Sequence, residues 1–158
     1  NEFRYGKFKF IRTNLGQYST YVKDKEALFN FLPPDVADIP VEPEVFQAIS
    51  GKYEVDTTAD SNSTFIQQIY YAQFELGNML NFHTGTFVRA GMTGNNTYNL
   101  PVISCNQSSA LIPVIYFMES NVTRVYNGER CIIAESASAN DIVRIKDSLL
   151  YGILGVAG

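Results

Sequence analysis

Hydrophobic and polar positions alternate through the first third of the chain. In YGKFKFIRT, residues 5–13, Lys7 and Lys9 alternate with Phe8 and Phe10, the period-two pattern of a half-buried strand whose lysines discourage stray edge pairing. After the NLG turn, QYSTYVKD and EALFNFL continue a meander until Pro33 and Pro34 stop it. The acidic, proline-marked stretch DVADIPVEPEVFQAIS then predicts a covering loop and a short helix over residues 43–49. A strand follows in KYEVDT.

The period then changes. From Asn62 to Phe82, Phe65, Ile69, Ala72, Leu76 and Met79 recur at spacings of three and four, predicting a core-facing helix that starts after the cap signals Asp60 and Ser61. TFVRAGM reads as a strand, TGNNTYNLP as a loop, and the almost continuously apolar LIPVIYFM as a central strand covered on both faces. TRVY and ERCIIAE flank Asn127-Gly128, which predicts a hairpin with a type I′ turn. The final segment, residues 139–154, opens with the capping-box-like Ser138 and Asp141 and carries an apolar stripe of Ile142, Ile145, Leu149 and Ile153; Gly152 and Gly155 weaken or end it.

These elements predict an α+β or α/β fold: a mixed sheet with two main amphipathic helices packed on it. At 158 residues, one domain over residues 1–158 is expected, with a meander over about 5–31 and the mixed sheet and helices over about 43–156. Hydrophobic residues at 46% against 18% charged place the chain among globular proteins. The net charge of −4 argues against nucleic acid as a partner, since phosphate binding needs clustered Lys and Arg. No apolar run reaches the roughly 18 residues of a membrane span, and the start at Asn1 instead of Met is compatible with an upstream signal or anchor having been cleaved or left out, and equally with a trimmed sequence.

Between Tyr53 and Ile145 there is no lysine, and the basic residues are Arg89, Arg124, Arg130 and Arg144. Such a surface is understandable if attached sugar supplies hydration. Asn62, Asn95, Asn106 and Asn121 each begin an Asn-x-Ser/Thr triplet. With 13 Asn and 21 Ser plus Thr, chance alone gives roughly two such triplets, so four is a modest excess that coincidence in an Asn-rich chain also covers. The two cysteines, Cys105 and Cys131, each end or start an apolar strand-like run, so neighbouring strands can hold them as one disulfide; the alternative is a pair of buried thiols in a reducing cell. Disulfide and sugar both point outside the cytoplasm.

Catalytic chemistry is hard to find. His83 is the only histidine and sits at a helix end, and no nucleophile elbow, P-loop or dinucleotide fingerprint occurs. Asp56 and Asp60 flank a strand end, a place where α/β proteins hold ions, and are weak metal candidates; Asp35, Asp38, Glu42 and Glu44 lack calcium-loop spacing. No cofactor is expected. Most aromatics are core residues, while Tyr5, Tyr18, Tyr21 and Tyr71 are candidates for subunit contacts.

Three stretches, FKFIRTNLGQYSTYV with FNFLPPDVADIPV, PVISCNQSSALIPVIYF with SNVTRVY, and CIIAESASANDIVRIKDSLLYGILGV, resemble uncharacterised, N-terminally anchored extracellular proteins of small-genome (DPANN) archaea. The resemblance spans most of the chain and is most specific at the final Cys-strand-helix segment. It implies an exterior location for Cys105, Cys131 and Asn121, and brings no activity with it. The expectation is a secreted or cell-surface structural glycoprotein that associates with copies of itself, as a filament, tube or surface-layer subunit. The alternatives are a surface ligand-binding or adhesion domain and, behind it, a secreted hydrolase using two carboxylates.

Overall fold

A computed structural model describes residues 2–157. The alternating N-terminal third forms an antiparallel meander of β1 (Glu2–Tyr5), β2 (Phe8–Arg12), β3 (Tyr18–Val22) and β4 (Lys25–Phe29), in that order. The run expected as one strand from Tyr5 is two: Gly6, at φ 56°, turns the chain so that Tyr5 faces Phe8 across a tight hairpin. Alternation alone cannot show this, because the pattern carries on through the turn. At the hairpin between β3 and β4, Lys23 and Asp24 take φ 49° and 65°, the left-handed pair a two-residue turn demands.

The rest of the chain builds a second sheet from β5 (Glu54–Ala59), β6 (Phe87–Ala90), β7 (Val114–Glu119), β8 (Arg124–Asn127) and β9 (Ile132–Ser136) in the order β6-β5-β7-β9-β8. All neighbours are parallel except β8, which is antiparallel to β9. The continuously apolar β7 is the middle strand. The helices are α1 (Pro43–Ile49), α2 (Ile66–Thr84) and α3 (Ala139–Ile153). The fold is α+β, and the expected meander and mixed sheet are two separate sheets.

Helices α2 and α3 pack together and lie between the sheets. From the meander, Phe10 and Phe29 bury against Tyr151 of α3, with Phe29 stacked at 4.0 Å. From the second sheet, Val55, Ile115, Phe117 and Ala134 complete the same core. The expected stripe of α2 is buried at Ile69, Ala72, Leu76 and Met79, each large side chain contributing about 2 kcal/mol through burial. Gln73 is buried on the same helix and donates to Thr57 Oγ1 at 3.0 Å and to the Gly91 carbonyl at 3.1 Å. Ser138 Oγ caps α3 by accepting from the Asp141 amide at 3.1 Å, and Gly155, at φ 75°, follows its end.

Three local expectations need correction. Asp60 does not cap α2: its Oδ1 accepts from the Asn62 amide at 2.9 Å, a local Asx turn, and the helix starts later, at Ile66. The Asn-Gly hairpin between β8 and β9 exists, but its loop covers residues 128–131 and neither Asn127 nor Gly128 has positive φ. Gly128 is needed for closeness, because a Cβ there would lie 2.9 Å from the Cys131 carbonyl oxygen and the Ile133 side chain. Cys105 sits in a 3-10 turn, Cys105–Gln107, instead of on a strand.

Candidate functional site

Residues 91–93 continue the pairing with β5, and Met92 and Leu100 pack with the main core, after which residues 101–113 cross the face of the second sheet that the helices leave open. Thr57 points to α2, so by the period of two Asp56 and Thr58 point to this outer face. There Thr58 Oγ1 donates to the Ile103 carbonyl at 2.7 Å, and Ile103, Val114 and Cys131 form a small core of their own. Cys105 and Cys131 are joined by a disulfide with a Cα–Cα distance of 5.2 Å, which pins the crossing segment to the start of β9.

All four Asn-x-Ser/Thr asparagines are exposed. Asn62 follows β5, Asn95 follows β6 and Asn121 follows β7, so three of the four lie in loops leaving the carboxyl ends of parallel strands. Asn106 is separate, beside the disulfide on the outer face. The neighbouring Asn96 is half-buried, and its amide organises the 94–100 loop by donating to the Gly94 and Leu100 carbonyls and accepting from the Tyr98 and Leu100 amides. Asn95 therefore stands on a loop held in shape by its own neighbour.

The chain leaves β5 toward β6 on one side and returns to β7 on the other, so the carboxyl ends of β5 and β7 form the crevice where open parallel sheets hold ligands. A cavity of about 350 Å³ lies there, lined by Asp60, Ser63, Thr64, Tyr116 and Glu119 among others. Its donors are occupied by the chain itself: Glu119 Oε1 accepts from Ser63 Oγ at 2.6 Å, from the Thr64 amide at 2.5 Å and from Thr64 Oγ1 at 2.9 Å. These donors hold the Glu119 carboxyl below the usual carboxylate range. The hydroxyl-rich run before α2 is the one sequence sign of this arrangement; nothing in the sequence joins it to Glu119.

Asp56 and Asp60, the weak metal candidates, are not brought together. Asp56 is 3% exposed and its Oδ2 accepts from Arg89 at 2.9 Å, whereas Asp60 is exposed at the strand end. A residue the sequence reading passed over, Glu54, stands beside Asp56; hydrogen bonding to Asp56, with burial, pushes its pKa up, and Arg89 draws it back. No group of three or more His, Cys, Asp or Glu suited to a metal gathers among the described residues. His83 lies inside the last turn of α2, its Nε2 2.9 Å from the Glu26 carbonyl, tying that helix to β4.

The remaining feature is an uncovered apolar surface. Every described residue of β1 is exposed, and its far edge pairs with no other strand of the sheet. Phe3 pairs with Phe10 and Tyr5 with Phe8, so both aromatics lie on the inward-facing side, yet they remain 41% and 37% exposed. Next to them a groove of about 260 Å³ is lined by Tyr5, Pro33, Val36, Ile39, Phe46 and Tyr151 among others. Tyr21 is the most exposed of the four tyrosines considered for contacts, whereas Tyr71 turns inward to Asn30. No family model, curated protein or solved structure matches this chain significantly.

Proposed function

We propose that this protein is a secreted or cell-surface structural glycoprotein that associates with copies of itself, the repeating subunit of a filament, tube or surface layer. The observation that carries the reading is the unpaired edge of β1 beside an apolar groove. A free strand edge offers a row of amides and carbonyls to another strand. On β1, Glu2 and Arg4 share one face and Phe3 the other, so antiparallel pairing with a second β1 that sets Phe3 against Phe3 also sets Glu2 against Arg4 in both directions. That two-fold contact closes on itself. A repeating assembly needs a second, heterologous contact, for which the groove is the available surface.

The exposed sequons support the same reading. Helix α3 leaves the carboxyl end of β9, so its last turn, where Tyr151 lines the groove, lies toward the opposite end of the second sheet from Asn62, Asn95 and Asn121. Sugar at those three positions leaves the β1 surface clear. The disulfide and the resemblance to anchored exterior proteins agree with maturation in an oxidising space.

Sedimentation velocity and negative-stain imaging of material from the natural source test the proposal, together with peptide mass mapping at the four asparagines. Ordered multimers that Phe3→Lys with Tyr5→Lys reduces to monomers are expected, along with hexose-bearing peptides. Strictly monomeric particles at high concentration overturn the assembly reading, and bare asparagines overturn the glycoprotein part of it.

A further inference from the structure

Where the end of the meander meets α3, a buried lysine and aspartate converge on a half-buried asparagine, Asn30. Lys146 is 1% exposed and Asp147 0%, so both lie out of water. Asn30 follows directly on β4, and Lys146 Nζ reaches its Oδ1 at 2.5 Å while also donating to Asp147 Oδ1. Tyr71 of α2 donates its hydroxyl to the same Asn30 Oδ1 at 3.2 Å, and the Tyr71 ring centroid lies 5.8 Å from Nζ. Asp147 Oδ2 accepts from the backbone amides of Asn30 and Phe31, each at 2.8 Å, which fixes the asparagine against it. Phe29 and Tyr151 pack beside this cluster as a stacked pair.

A buried amine held on a polarised carboxamide, with a carboxylate on the amine, is the arrangement of a nucleophile with its base and an electrophile with its donor. We propose that the protein joins Lys146 to Asn30 in an intramolecular isopeptide bond, with Asp147 moving the proton and Tyr71 steadying the carbonyl oxygen. Asp147 takes a proton from the Lys146 ammonium, and the freed Nζ lone pair attacks Cγ of Asn30. The carbonyl electrons move to Oδ1, which the Tyr71 hydroxyl holds. As the carbonyl re-forms, the bond from Cγ to Nδ2 breaks, and Nδ2 leaves as ammonia with the proton that Asp147 carried. The proton left on Nζ returns to Asp147 and passes to solvent. One amide replaces another, with no oxidant, reductant or cofactor. Burial pushes the Asp147 carboxyl up from its ordinary value, which suits a proton carrier, although Lys146 opposes the shift.

The product would tie the end of the first sheet to α3 across a sequence separation of 116, a cross-link that neither reductant nor denaturant opens. It goes beyond the assembly reading and does not depend on it.

Intact-mass measurement of the full, reduced chain after folding tests the proposal. The wild-type protein is expected to weigh about 17 Da less than its sequence, the mass of one ammonia. Because an Asn-Gly pair such as Asn127-Gly128 can also shed ammonia, the deciding readout is tandem mass spectrometry of the digest. A branched peptide joining Lys146 to Asn30 is expected. In boiled, reduced gels the wild type should run faster than Lys146→Arg or Asn30→Ala, and Tyr71→Phe should slow formation of the branched peptide severalfold. The wild-type result decides whether or not any variant folds: unlinked Asn30 and Lys146 peptides from folded, aged protein mean a buried ion pair and nothing more, and overturn the proposal.

Discussion

Replacing Cys105 and Cys131 together by serine removes the one covalent tie on the outer face of the second sheet. With a sequence separation of 26, the chain-entropy relation gives about 3.5 kcal/mol of stabilisation through restriction of the unfolded chain. For a chain of 158 residues that loss corresponds to a fall in melting temperature of roughly 10 °C. The structure also says where the weakening concentrates. Residues 101–113 rest on a thin core of Ile103, Val114 and Cys131, on the Thr58 hydrogen bond and on the short ladder between Met92 and Val102. Urea unfolding of the double variant against the oxidised wild type measures the global term, and amide exchange at Met92 and Ile103, which bond to the Pro101 and Met92 carbonyls, measures the local one. The expected result is a lower midpoint and a preferential loss of protection at those two amides. A loss below about 1 kcal/mol, or equal loss of protection across β5 and β7, would refute the reasoning.

Other perturbations read other parts of the fold. At Gly152 an added Cβ would lie 2.1 Å from the Phe46 ring, so Gly152→Ala should push α1 off α3 and cost about 1–3 kcal/mol in thermal unfolding. Leu76→Ala opens a hole in a fully buried position of α2 and should cost about 2–5 kcal/mol by the same measurement. Ser138→Ala removes the cap of α3 and should cost about 1 kcal/mol, visible as a lower urea midpoint. Burial lowers the pKa of His83, its hydrogen bond to Glu26 opposes this, and Lys25 adds to the lowering. The folded protein therefore holds fewer protons there than the unfolded chain, so stability is full above the ordinary value of about 6.5 and falls as pH drops through it. Ring-proton NMR of this single histidine should give a midpoint below about 6.5; a midpoint at or above that value counts against the packing described.

Much of the secondary structure was legible because it is periodic. The alternation of Phe8, Lys9 and Phe10, the three-and-four spacing through α2, and the unbroken apolar run of β7 each state which face is buried. Ser138 and Asp141 marked the start of α3 because a cap is a contact between near neighbours. The same locality misled at Asp60, where an Asx turn won over the cap, and at Asn127-Gly128, where the approach of Cys131 and Ile133 sets the demand for glycine.

The sequence by itself determined strand and helix periods, the lone cysteine pair and the exposure of residues that turns leave outside, since each depends on neighbours a few positions away. Only the tertiary structure decided that there are two sheets with helices between them, that Glu119 closes on Ser63 and Thr64, that β1 keeps a free edge beside a groove, and that Asn30 meets Lys146 and Asp147. Those pairings join residues up to 117 positions apart, and nothing in the local pattern of either partner records the packing that brings them together.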